Sequence, residues 1–276
     1  MNAIETRGMT KYYGKNRGIL DMDLQVEEGD FFGFIGPNGA GKSTTIRCLL
    51  GLITPERGER RVLGMDCGRE KKKILARVGY MPSETMFYGG MRVSEVIAMA
   101  AGLRRADCRQ EAKRLCERLE LDTGRKVEEL SLGNRKKVSI VCAMQHRPNL
   151  YILDEPTSGL DPLMQQEFFR ILRERSAEGA TIFLSSHVLG EIQEHCRHAG
   201  IVREGRLIRV STVESLRKSS AKRVTATTAQ GKESYLYKGD IRELIRRLGE
   251  QELTDLTITE PALEEIVMHY YEEKEK

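Results

Sequence analysis

The sequence predicts an α/β protein: a mixed-sheet core, a small antiparallel β part at the N-terminus, a helical insert, and a small α+β extension at the C-terminus. Three observations carry this. The apolar run "DFFGFIG" leads through a glycine-rich turn into the helical "KSTTIRCLLGL", a strand, loop and helix in succession. Later strand-like runs, "NLYILDE", "ATIFLSS" and "AGIVREGRLIRV", alternate with helical stretches over 162–176 and 188–197, the order of a parallel sheet with crossover helices. Between them, residues from about 93 to 145 show apolar spacings of three and four in "VSEVIAMAAGL" and "CRQEAKRLCERLEL", which reads as a helical insert.

Length and composition bound the rest. The 276 residues suit one large α/β domain with an appendage, or two modest domains. With 39% apolar and 31% charged residues the chain is not disordered, and a formal charge of +4 from 45 Lys and Arg against 41 Asp and Glu argues against nucleic acid as a partner. The longest apolar runs, 31–36 and 96–103, fall far short of the roughly 18 residues that cross a bilayer. The opening "MNAIETRGMTK" lacks the apolar core of a secretory leader, so a cytosolic protein with reduced cysteines is expected. Cys48, Cys67, Cys108, Cys116, Cys142 and Cys196 show no CxxC pairing and read as small buried apolar residues. "HCRH" at 195–198 falls on a predicted helix and reads as a solvated face rather than a metal site. The basic triads "KKK" (71–73) and "RKK" (135–137) also read as solvated faces.

Along the chain, "IETRGMTKYYG" and "LDMDLQVEEGD", bounded by glycines, predict the small antiparallel sheet. Beyond about residue 211 the sequence turns rich in Lys, Arg, Thr and Ser. It closes on "TITEPALEEIVMHYY", an amphipathic packing helix with Pro261 in its first turn and Leu263, Ile266, Val267 and Tyr270 on one stripe.

The strongest chemical signal is "GPNGAGKST": Gly36, Pro37, Asn38, Gly39, Ala40, Gly41, Lys42, Ser43 and Thr44. It fits G-x-x-x-x-G-K-[ST] and sits between a predicted strand and a helix, the context the motif requires. Its glycines let backbone N–H groups converge on phosphate, the helix N-terminus adds partial positive charge, Lys42 neutralises the outer phosphates, and the Ser43 hydroxyl can ligate Mg²⁺.

The loop alone does not name a reaction, because nucleotide enzymes of many kinds share it. "NLYILDEP" adds Asp154 and Glu155 at the carboxyl end of an apolar strand, the end that faces the ligand crevice in open α/β sheets. Successive strand residues point to opposite sides, so the two carboxylates take different tasks: Asp154 the metal, through its water shell, and Glu155 the attacking water at the γ-phosphate. His187 ends the neighbouring strand run "TIFLSSH" and is expected to contact the γ-phosphate.

Together these residues resemble the nucleotide-binding subunits of ABC transporters. The resemblance covers Ile4 to about Val210 in the family's order: an aromatic (Tyr13), the loop "GPNGAGKST", a signature "LSLGN", the "YILDE" strand, "SGLD", and a histidine in "SSH". It implies a mixed-sheet P-loop ATPase with ATP and Mg²⁺ bound, in which Tyr13 stacks on adenine, with neighbouring Tyr12 a rival for that place and plain strand packing the alternative role. Ser131 and Gly133 would cap the γ-phosphate held by a second such subunit, homodimeric or heterodimeric, while Ser158, Gly159 and Asp161 join the two sites. The implied organisation is an ATP-binding domain over 1–210, with a helical subdomain at about 84–145, and an accessory domain over 211–276. A separate transmembrane permease subunit would hold the protein peripherally at the cytoplasmic side of the membrane, its cytoplasmic helices received by the insert and by 83–91. The tail is similar to that of drug- and lipid-export subunits, so export is expected over import.

Two departures stand out. Leu132 and Asn134 replace the usual Gly and Gln of the signature. Ser83, in "VGYMPSETMFY", stands where the family carries the glutamine that links metal and water to the membrane partner, so Ser83 would act through a bridging water or give way to an inward-turned Glu84. A soluble ATPase acting on ribosomes or nucleic acid, and a binding-only cassette, are the competing expectations.

Overall fold

The computed structural model describes residues 1–104, 107–217, 221–249 and 252–259. In chain order, β1 (Asn2–Tyr13), β2 (Asn16–Met22) and β3 (Gln25–Glu27) lead into β4 (Phe31–Ile35), the phosphate loop and α1 (Lys42–Leu49). Then come β5 (Arg57–Val62), β6 (Met65–Asp66), α2 (Lys71–Arg77) and β7 (Val78–Met81). The insert supplies α3 (Val93–Arg104), α4 (Arg109–Arg118) and α5 (Leu132–Met144). β8 (Leu150–Asp154), α6 (Pro162–Ala177), β9 (Thr181–Ser186), α7 (Leu189–His195), β10 (His198–Arg203) and β11 (Arg206–Thr212) close the larger unit.

Six strands form the central sheet in the order β11-β10-β4-β9-β8-β7. The pairs β10·β4, β4·β9, β9·β8 and β8·β7 are parallel. Every residue of β4, β8 and β9 is buried, as expected where helices cover both faces of a parallel sheet. This is why "FFGFI" and "LYILD" read as continuous apolar runs rather than alternations. Phe183 stacks on Phe32 at 5.8 Å and tilts against Phe34 at 5.2 Å, and Ile46, Leu49, Ile152 and Val202 join the same core. A second sheet, β2-β1-β5-β6 with β3 also on β1, is antiparallel throughout.

Contacts divide the chain into two compact units, Met1–Val210 and Ser211–Lys276. The second contains α8 (Val213–Arg217), β12 (Ala221–Thr228), β13 (Gly231–Lys238), α9 (Ile241–Gly249) and β14 (Leu253–Thr259). Its antiparallel sheet, β13-β12-β14, has its own core of Val224, Ala226, Leu244 and Leu248. The helix expected over 261–270 lies outside the described residues.

Two readings are corrected. "HCRH" is neither one helix nor a solvated face: α7 ends at His195, whose ring stacks on Phe169 with centroids 3.8 Å apart, and His198 opens β10 with Nδ1 2.9 Å from Asp30. "RKK" is not solvated either, because Lys136 and Lys137 on α5 are buried and Arg135 is half-buried. The triad at 71–73 does face outward. Five of the six cysteines are buried and Cys142 is half-buried.

Candidate functional site

The carboxyl ends of β4, β8 and β9 converge on one crevice. At β4 the loop turns into α1 through Gly41, whose φ of 103° is a left-handed value that a side chain resists, and a Cβ there would meet the Gly18 carbonyl at 2.8 Å. Gly41 is the N-cap of α1 and offers no capping side chain, so the first-turn N–H groups have no side-chain cap. That is a cradle for an anion. Lys42, almost wholly buried, donates from Nζ to the carbonyls of Gly36 (2.7 Å) and Pro37 (3.3 Å), which bends its ammonium back over the loop.

Asp154 ends β8 in full burial and accepts from the Ser185 hydroxyl of β9 at 2.5 Å. Glu155 lies one residue past the strand with φ +49°, so the carboxylates diverge because of a left-handed turn rather than strand alternation. Its Oε1 lies 3.1 Å from Lys42 Nζ, an ion pair without hydrogen-bond alignment, and its Oε2 lies 2.6 Å from His187 Nδ1. Lys42, Glu155 and His187, expected from three separate motifs, therefore touch in one cluster. The buried cation that a carboxylate in this place requires is Lys42.

Tyr13 and Tyr12 are both nearly half exposed. The Tyr13 ring reaches the same glycine that Thr44 abuts, since a Cβ on Gly18 would meet Tyr13 at 3.2 Å and Thr44 at 3.3 Å. Tyr12 is engaged elsewhere, its backbone N–H donating to Glu56 at 2.9 Å.

The signature turn stands apart. Ser131 is the N-cap of α5 and its hydroxyl accepts from Asn134 N at 3.3 Å. Gly133 packs so closely on the 158–161 loop that a Cβ would meet the Gly159 carbonyl at 2.7 Å. Leu132 rests on Gly159 and is two-thirds exposed, and Asp161 caps α6 through Met164 N at 3.0 Å. Among the described residues no hydrogen bond or ion pair joins 131–134 to 36–44. The Ser83 carbonyl accepts from Lys136 at 2.8 Å, and Glu84 is exposed with no hydrogen bond or ion pair among the described residues, so it is not the inward-turned substitute. Sequence reasoning missed Ser185 and Lys136. The first had a signal in the serines before His187, whereas the burial of Lys136 was hidden inside a charge run.

No group of three or more His, Cys, Asp or Glu that could hold a metal occurs among the described residues. The oxygens present, Ser43 hydroxyl and Asp154 carboxylate, instead suit Mg²⁺, which keeps waters and phosphate oxygens in its shell.

Fold and site together define a P-loop nucleotide hydrolase. Residues 19–158 match the "ABC transporter" family model. The bacitracin transport ATP-binding protein BcrA of Bacillus licheniformis is 37% identical over 223 residues, covering 79% of this chain and 72% of the relative. The probable multidrug ABC transporter ATP-binding protein YbhF of Escherichia coli is 34% identical over 224 residues, again 79% of this chain but 39% of its own length. A structure described as the ATP binding subunit of an ABC transporter superposes with a TM-score of 0.78 at 25% identity, covering 98% of this chain and 100% of that one. The chain belongs to the ABC transporter family, as an ATP-binding subunit with ATPase activity. No helix among the described residues is long and apolar enough to cross a membrane.

Proposed function

We propose that the chain is the motor subunit of an exporter: it binds MgATP on residues 36–44, hydrolyses it with Glu155 as base, and closes with a second subunit around two nucleotides to move a separate membrane subunit. The observation that carries this is the Lys42–Glu155–His187 cluster at the crevice. Glu155 is held between two groups that nucleotide would claim. Lys42 turns to the outer phosphates and His187 to the γ-phosphate, which frees the carboxylate to take a proton from the attacking water as the β–γ bond breaks. Mg²⁺ on Ser43 and Asp154 would neutralise charge on the β- and γ-oxygens. Ser185 fixes the orientation of Asp154.

Pairing is supported by the signature turn, which serves no phosphate of its own chain. Export is supported by the relatives, whose names include bacitracin transport and Nod factor export. A permease partner places the chain at the cytoplasmic side of the membrane. The ribosome or nucleic-acid reading is disfavoured by the same relatives and by the small net charge.

Glu155→Gln tests the site. Turnover should fall by about 10²–10⁴-fold, the scale of losing a positioned base, with ATP binding retained. Turnover within threefold of the parent protein would remove Glu155 from the role.

A further inference from the structure

Lys136 is buried to 2% exposure on the second turn of α5, in a chain whose other lysines mostly reach water. Its Nζ donates to the Ser83 carbonyl at 2.8 Å. Among the described residues that carbonyl is its one hydrogen-bond partner, and it forms no ion pair. The carboxylates whose charge it feels are Asp154 and Glu155. An ammonium taken out of water without a direct counter-ion is costly, and a helix position that only needed packing would be served by Met or Leu. The lysine is placed where its proton donors have a use, at the junction of the signature helix and the turn after β7.

We infer that Lys136 is a positioning residue for ATP hydrolysis, clamping the Ser83 turn to the signature helix through the Ser83 carbonyl. The inference rests on the reading of the crevice given above. It also fits the short side chain at 83. A serine there presents only its backbone carbonyl to this contact, and the fixed point comes from the opposite wall, from a long cation on α5. Because Ser131 caps α5, the Lys136 hydrogen bond ties the Ser83 turn to the helix that the signature turn opens, so movement of that turn is passed on to the 83–91 segment.

The test is steady-state ATPase of the full chain, with nucleotide affinity and thermal melting measured on the same samples. Lys136→Met keeps an unbranched chain, shorter by one heavy atom, and removes charge and donors. Its kcat should fall between about tenfold and 10²-fold, the scale of a misplaced catalytic group, with the KM for ATP within about twofold and the melting temperature within a few degrees. Lys136→Arg, which keeps charge and donors, should recover most of kcat. A wild-type kcat per nucleotide-binding site in the Met variant overturns the inference, as does a raised KM at unchanged kcat. Should the Met variant fail to fold, Arg against Gln decides: kcat higher in Arg supports the role, and a Gln variant equal to the parent overturns it. Glu155→Gln is run alongside. If that variant keeps turnover, the site reading itself fails; if it is dead while Lys136→Met is normal, only the role of Lys136 falls.

Discussion

At the residue scale, His146 shows how burial sets a protonation state away from the site. Burial, with the Arg104 guanidinium beside it, pushes its pKa down to about 4. The hydrogen bond agrees: Arg104 Nε donates to His146 Nε2 at 3.1 Å, which requires that nitrogen to be unprotonated. In the unfolded chain the ring titrates near its ordinary 6.5, so below that pH the unfolded state takes a proton that the folded state declines. Stability is therefore lost as pH falls from about 6.5 to about 4, by no more than about 3 kcal/mol and less for a ring that is only half-buried. His146→Gln, which can still accept from Arg104, should flatten the fall in urea midpoint between pH 7 and pH 5. An equal fall in both proteins would acquit the histidine. The thiols follow the same physics: burial pushes Cys48 up to about 11 and Cys67 up to about 12, so neither is a ready nucleophile at neutral pH.

At the scale of elements, α4 and α6 are joined by a charge network. Arg118 pairs with Glu167 at 2.5 Å and with Glu174 at 2.5 Å, Arg114 reaches Glu174 at 2.8 Å, and the buried Arg175 bonds Glu111 and Glu178. Removing one member of a buried pair strands the other. Arg175→Met should destabilise the larger unit by about 3 kcal/mol or more in urea unfolding, and adding Glu111→Gln should return part of that loss. Additive losses would show that the two do not act as a pair. These helices were legible in "CRQEAKRLCERLEL" and in the stretch from Pro162, because amphipathic spacing is local. Their partnership was not, since a run of charges looks the same whether it meets water or a complementary helix. The same ambiguity hid Lys136 and the packing of His195. Strands β4, β8 and β9 were plain for the opposite reason: burial on both faces leaves continuous apolar runs, and the phosphate loop fixes their direction.

At the scale of the whole molecule, candidate site residues could be proposed from motifs, but a turn such as 130–134 would show a ligand only in company. Within one chain Ser131 does a helix-capping job, and Gly133 is required by the nearby Gly159 carbonyl. Both residues thus have sufficient local reasons, and on the proposed pairing a partner's phosphate would be a second demand laid over the first. If each turn makes two or three charge-assisted hydrogen bonds at about 1.5–3 kcal/mol, two turns supply on the order of 10 kcal/mol. Association costs about 4–15 kcal/mol, so closure of such a pair would depend on triphosphate being present. Ser131→Asp separates the two demands. Aspartate caps a helix as well as serine and its charge suits the helix N-terminus, so the single chain should melt as the parent does and bind ATP with the same affinity. Facing a γ-phosphate across an interface, the same charge is repulsive. In a Glu155→Gln background with ATP and magnesium, sedimentation should show a dimer, and adding Ser131→Asp should return it to a monomer. Equal dimerisation with and without the aspartate would mean that the turn does not meet phosphate on a second subunit.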